Sequence, residues 1–140
     1  MNTSESNEML LESARAARVK AYAPYSGYTV GAAVLGNHGN VWTGCNVENV
    51  SYGASICAER TAIVKIVSEG CKEIQAIAVS TADGGTPCGI CLQVLLEFSP
   101  DPNQMQVYTI SDEGRSVSYV LSDLIPHGFS SDAVIRTKGE

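Results

Sequence analysis

Nothing constrains this chain more than three of its cysteines: Cys57, at the head of Cys57-Ala58-Glu59-Arg60, and the pair in Pro87-Cys88-Gly89-Ile90-Cys91. At this spacing three thiols make a zinc site one ligand short of closed. Zinc takes four ligands, so three protein sulfurs leave a position for water, and Glu59, two residues from one of them, is free to move protons. The combination points to hydrolytic catalysis. Cys88-x-x-Cys91 also fits a redox dithiol or one half of a structural zinc knuckle. A closed structural site needs a fourth ligand, and His38, His127, Cys45 and Cys71 are all distant from the cluster in sequence.

Composition narrows the setting. A chain of 140 residues, 44% of them apolar, fits one domain with a real core, and we read residues 1–140 as a single domain with a loose tail from about residue 130. Nine Lys and Arg against fifteen Asp and Glu leave a net charge of −6 without a basic cluster, a balance that repels phosphate backbones and argues against nucleic acid as substrate. No apolar run reaches the roughly 18 residues of a membrane span, and the N-terminus lacks the basic and apolar regions of a secretory signal. Five cysteines, three in ligand-like spacing, suit a reducing compartment and metal binding more than a disulfide framework. The expected location is the cytoplasm, with no membrane partner.

Along the chain, Ser4 to Ala21 has helical apolar spacing, with Ser4 and Ser6 as candidate N-caps and Pro24 as the stop. Tyr28–Leu35 and Val41–Val47 are β-rich runs joined by the turn-forming Gly36-Asn37-His38-Gly39-Asn40, an antiparallel hairpin. The small residues Gly31, Ala32 and Ala33 allow close packing on the first strand. A loop delivers the chain to Cys57, from which Ala58, Ala62, Ile63, Ile66 and Val67 form a helical stripe ending at Gly70. Ile74–Ser80 is a short apolar strand, Cys88–Phe98 a second helix, and Gln106–Ser111 and Ser116–Val120 are strands whose connection is too short for a parallel crossover. Leu121–Pro126 adds a helical turn. The expected fold is α/β in three α-β-α layers: a mixed five-stranded sheet with helices on its faces and its last two strands antiparallel.

Both cysteine clusters open helices, where partial positive charge and free N–H groups help thiols ionise. Three thiolates outweigh the charge of Zn²⁺, so the site is a weak Lewis acid unless a neighbour drains charge, and Arg60, one turn from Cys57, is the candidate. Cys45 and Cys71 read as core or surface thiols, and His38 as a solvated turn residue.

These residues resemble the zinc-dependent cytidine deaminases, specifically the small free-nucleoside type that assembles as homotetramers. The resemblance runs from about Tyr22 to Phe129 through Ala23-Pro24-Tyr25-Ser26-Gly27-Tyr28-Thr29-Val30-Gly31-Ala32-Ala33, Gly44-Cys45-Asn46-Val47-Glu48-Asn49, Ser51-Tyr52-Gly53, the two cysteine motifs, and Leu124-Ile125-Pro126-x-x-Phe129. It implies hydrolysis of cytidine and 2′-deoxycytidine to the uridine products and ammonia, a place in pyrimidine salvage, and one Zn²⁺ per subunit held by Cys57, Cys88 and Cys91 for attack by water at C4. It also implies that Glu59 moves protons, that backbone at Ala58 contacts the base, that Tyr28 packs on the base, and that Asn46 and Glu48 hold the ribose 3′-hydroxyl. Tyr52 and Phe129 match aromatics that neighbouring subunits contribute, so the implied partner is the chain itself. The hairpin between the last strands, in place of a helical crossover, favours a free nucleoside over nucleic acid.

Two departures stand out. The family pattern continues its last ligand with Arg-Gln, where this chain has Leu92-Gln93, so Arg60 neutralises more alone. Tyr28 stands where the family has Phe, and its hydroxyl needs a partner, since a buried unpaired hydroxyl costs roughly 1–3 kcal/mol. Either change suits a deaminase of modified cytosine nucleosides or of an antibiotic of the blasticidin S kind. A non-catalytic zinc protein using the fold for assembly is the remaining alternative.

Overall fold

Residues along the strands alternate between two apolar environments, so the sheet is covered on both faces. Ala32, Val34, Ile77, Val79 and Val107 join one buried cluster, while Ala33, Ala76, Ala78 and Tyr108 join another. The structure, a computed structural model, describes residues 3–132 and 134. Its elements are α1 (Thr3–Arg18), β1 (Gly31–Gly36), β2 (Val41–Cys45), α2 (Ala58–Ser68), β3 (Ile74–Ser80), α3 (Gly89–Glu97), β4 (Gln106–Ile110), β5 (Ser116–Val120) and α4 (Leu121–Leu124), with one 3-10 turn at Tyr52–Ala54.

The five strands lie in the order β2-β1-β3-β4-β5. β3 and β4 are parallel, joined by α3 as the crossover, and the other neighbours are antiparallel. The last hairpin closes through Ser111 N–H to the Arg115 carbonyl, with Gly114 at φ 84°. The three-layer mixed sheet and the antiparallel final pair agree with the reading of the sequence.

α1 covers one face and packs through Leu10 and Ala14 on a floor of alanines. That floor brings the helix very close: a Cβ on Gly31 would lie 2.1 Å from the Ala14 carbonyl oxygen and 2.4 Å from the Arg18 nitrogen. The other face carries the larger cluster, in which Ile63 and Ile66 of α2, Leu95 of α3 and Ile77 of β3 are fully buried. Each such side chain contributes about 1.5–3 kcal/mol. α2 approaches β2 over Gly44, where a Cβ would sit 2.5 Å from the Ala62 nitrogen. It ends in a Schellman motif, with Cys71 N–H on the Ile66 carbonyl, Gly70 N–H on the Val67 carbonyl and Gly70 at φ 101°.

Three elements, α1, β1 and β2, have boundaries that differ from expectation. α1 starts at Thr3, ahead of both serines offered as caps, and stops at Arg18 instead of running to Ala21. Tyr22 exchanges backbone hydrogen bonds with Asn46 and Glu48, which draws the chain out of the helix well before Pro24. β1 begins at Gly31 instead of Tyr28, because Tyr28 and Val30 give their backbone groups to the Asn46 side chain. β2 ends at Cys45, and Val47 makes only isolated bridges, to Tyr22 and Ile56. The tail expectation falls, Val134 apart, outside the described residues beyond Asp132. Among the described residues no helix is long and apolar enough to cross a membrane.

Candidate active site and metal centre

Two strand-loop-helix units converge on one point. β2 leads through a loop to α2 and β3 through a loop to α3, and Cys57 and Cys88 occupy the two N-cap positions. Both have extended backbone (φ −73°, ψ 153° and φ −70°, ψ 168°) and neither side chain caps its helix. The thiols turn toward each other instead. Cys91, in the first turn of α3 and fully buried, completes a trio whose sulfurs all lie within 4.8 Å of one another, with Cys88 and Cys91 3.6 Å apart. Tetrahedral zinc with Zn–S bonds of about 2.3 Å requires sulfur separations of roughly 3.8 Å, so the donor set fits that ion.

The surrounding charges fit it as well. Arg60 places Nη2 3.6 Å from the Cys57 sulfur. Hydrogen bonding from Cys91, supported by Arg60, lowers the Cys57 thiol to about 5, while Cys91, which gives that proton, is raised. Thiolate character is therefore available in the cluster before any metal enters. Glu59 is 4% exposed, and burial raises its carboxyl to about 7. Its Oε1 has no hydrogen-bond partner, nor has the buried Arg60 Nε. An orphaned carboxylate oxygen beside three thiols is the position a proton carrier for a bound water must occupy.

A cleft of about 460 Å³ opens over this trio, within the range of small-molecule sites. Cys57, Glu59, Arg60 and Cys88 line it, together with Tyr28, Asn46, Glu48 and Tyr52 from the loops before β1 and after β2 and Thr81, Gly85 and Thr86 from the loop after β3. Asn46 is locked by its carboxamide, whose Oδ1 accepts the Val30 N–H at 2.9 Å and whose Nδ2 donates to the Tyr28 carbonyl at 2.8 Å. The Glu48 carboxylate accepts the Tyr25 and Ser26 N–H groups at 3.0 and 3.1 Å and the Ser26 hydroxyl. These donors, the Ser26 hydroxyl first, hold it below the usual carboxylate range. Both side chains are thus set before a ligand arrives.

The sequence matches the family model described as "Cytidine and deoxycytidylate deaminase zinc-binding region" over residues 4–107. The chain belongs to the cytidine and deoxycytidylate deaminase family. It is 48% identical over 132 residues to the cytidine deaminase of Mycobacterium tuberculosis (strain CDC 1551 / Oshkosh), covering 93% of this chain and 94% of that one. To the cytidine deaminase of Halalkalibacterium halodurans it is 42% identical over 127 residues, covering 89% and 95%. Among solved structures, the cytidine deaminase of Burkholderia pseudomallei superposes with a TM-score of 0.82 at 42% identity, over 92% of this chain and all of that one. Zinc is the cofactor of this deaminase, and the thiol trio supplies a donor set that suits it.

For a deaminase of this family the remaining sequence-derived residues lie as follows. Ala58 is fully buried between two lining residues. Tyr52 lines the cleft of its own chain and packs edge-on against Tyr25, ring centroids 6.1 Å apart. Phe129 does not line its own chain's cleft and is 70% exposed. Leu92 is buried in the apolar cluster, so no cation stands there, and Arg60 is the guanidinium bonded to the thiols. The Tyr28 hydroxyl has the partner the sequence did not reveal: Asp83 Oδ1, at 2.6 Å. Tyr28 itself is 42% exposed, not buried.

Sequence reading missed Ser26, Asp83 and Gln93. Gln93, two residues beyond Cys91, accepts the Phe129 N–H at 3.0 Å and donates to its carbonyl at 2.9 Å, tying the metal-bearing helix to that aromatic's backbone. A polar residue one turn inside an otherwise apolar helix was the available signal. His38 and His127 are exposed, and neither joins the thiol cluster. Cys71 bonds Asn37 and the Glu73 carbonyl, Cys45 bonds the Lys20 carbonyl, and all five cysteines are free.

Proposed function

We propose that this deaminase acts on the free nucleosides cytidine and 2′-deoxycytidine, converting them with water to uridine or 2′-deoxyuridine and ammonia. The observation that carries the reading is the buried Glu59 carboxyl, its Oε1 without a hydrogen-bond partner, lining a nucleoside-sized cleft with the zinc-site cysteines Cys57 and Cys88. When bound, zinc supplies Lewis acidity that makes water a nucleophile at neutral pH. Cys57, Cys88 and Cys91 hold it, and Arg60 offsets the thiolate charge. Glu59, raised to about 7, takes the two protons of the attacking water in turn, passing the first to N3 of the ring and the second to the departing amine. Asn46 and Glu48 bind the ribose 3′-hydroxyl, Tyr28 packs on the base, and backbone at Ala58 contacts it.

The unit of function is the whole chain as one domain, acting in the cytoplasm and assembled as a homotetramer in which Phe129 and Tyr52 complete pockets. Supporting the assembly, Tyr22, Tyr25, Val50, Tyr52 and Phe129 are exposed together with a site that is open on one side. Sedimentation that finds only monomers removes this part. A second reading, a modified cytosine nucleoside as substrate, draws on the polar Tyr28–Asp83 pair in the cleft wall. Glu59 lining an open cleft speaks against a non-catalytic role.

The deciding experiment follows loss of the cytidine chromophore in the ultraviolet, with and without a chelator. Turnover that the chelator abolishes and zinc restores is expected. Zinc-loaded protein that leaves cytidine and deoxycytidine intact overturns the substrate assignment, and turnover of a modified cytosine nucleoside in their place selects the second reading.

A further inference from the structure

Asp83 belongs to none of the motifs singled out in the sequence, and it does not line the cleft. Its Oδ1 nevertheless gathers three donors: the Tyr28 hydroxyl at 2.6 Å, the Thr81 hydroxyl at 3.2 Å and the Gly85 N–H at 3.2 Å. Two of these come from Asp83's own loop, between β3 and the N-cap Cys88. In that loop Thr81 Oγ1 also accepts the N–H groups of Gly84 and Gly85, at 2.8 and 3.0 Å, and Gly84 turns the chain at φ 77°. The third donor is the only one from outside, 55 residues earlier in sequence.

Tyr28 is therefore held at two ends. Its carbonyl accepts from Asn46 Nδ2, and its hydroxyl donates to Asp83. Asn46 and the loop carrying Gly85 and Thr86 both line the cleft. The phenol ring spans the gap between Asn46 and this loop, its hydroxyl on Asp83 and beside Thr81 and Gly85 of the same loop.

We infer that Asp83 is a positioning residue, which by accepting the Tyr28 hydroxyl fixes the Tyr28 ring and the Gly85–Thr86 rim as one rigid wall against which substrate binds. The inference rests on the proposed nucleoside reading for its ligand. A hydrogen bond at a partly exposed site is a modest term, so its loss is felt in ground-state binding and not in the chemical step.

The test uses zinc-loaded Tyr28→Phe, Asp83→Ala, Asp83→Asn and the Tyr28→Phe/Asp83→Ala double variant. Tyr28→Phe and Asp83→Ala should each raise KM for cytidine about threefold to tenfold with kcat within about twofold of the parent, the loss of one net hydrogen bond. The double variant should be no worse than either single one, because one bond cannot be lost twice. Asp83→Asn keeps an acceptor oxygen and should return KM to within about twofold of the parent. Gly85 amide exchange should accelerate in Tyr28→Phe, although that change lies outside the loop.

A Tyr28→Phe variant with parental KM and parental Gly85 exchange overturns the inference, and so does a double variant whose effect is the product of the singles. If the parent turns over no cytidine at all, the substrate reading fails, while the exchange measurement still decides whether Asp83 and Tyr28 act as one wall.

Discussion

Replacing Glu59 by glutamine separates chemistry from folding. The carboxamide has nearly the shape of the carboxyl, so the packing around α2 is kept. What changes is charge and proton traffic. The native side chain is 4% exposed with Oε1 unpartnered, a group that burial penalises in its ionised form. Removing a buried charge that burial disfavours relieves about 1–3 kcal/mol of desolvation, partly offset by lost attraction to Arg60 and by the unpaired N–H the amide brings. Glu59→Gln should therefore unfold in urea at a midpoint no lower than the parent's, with unchanged m and a full complement of zinc. Its kcat for cytidine should nevertheless fall by about 10²–10⁴, the contribution of a positioned acid-base group. Absorbance loss, metal analysis and urea titration on one preparation give all three numbers. A variant within tenfold of parental kcat refutes the proton role. One that loses activity together with zinc or stability shows that Glu59 shapes the site instead of moving protons.

Three further outcomes follow from geometry. Gly31→Ala drives a methyl into the Ala14 carbonyl, 2.1 Å away, and should cost about 3 kcal/mol of stability by urea titration; a loss under about 0.5 kcal/mol means α1 does not sit where described. Arg60→Ala removes the guanidinium bonded to Cys57 and should weaken zinc binding about 10–100-fold in competition with a chromophoric chelator, whereas unchanged affinity refutes its charge-draining role. Glu48→Gln should raise KM for cytidine about tenfold with kcat near the parent's, and an equal fall in kcat would move Glu48 from binding into the chemical step.

How far the fold was legible depends on whether a signal was local. β3 was bounded correctly because a continuous apolar run between a glycine turn and a glycine loop has few alternatives. α2 and α3 are legible with their cysteines at the N-termini, since the apolar spacing lies within each helix and the Gly70 stop just beyond α2. Tyr28 to Val30 was misread as strand because its β-prone side chains are real, while the competitor for its backbone is a single asparagine carboxamide 16 and 18 residues away. The site divided in the same way. Thiols and Glu59 carry their chemistry in spacing, whereas Asp83 in a Gly-rich loop looks like any turn residue until Tyr28 is folded against it. Leu92 was legible as a missing cation, but its place in the core was not.

The arrangement of the two cysteine-capped helices separates the molecule into two rims. The lining of the cleft comes from the loops before β1, after β2 and after β3, from the end of β3, and from the starts of α2 and α3. The opposite rim holds the Gly36–Asn40 turn, the Schellman end of α2 and the Asn37–Glu73 contact that joins them. That rim carries the Cys71 thiol, bonded to Asn37, but none of the three zinc-site thiols. A tag, a linker or a partner-binding insertion belongs at His38, the exposed apex of that turn, where it stands across the full length of the sheet from the chemistry.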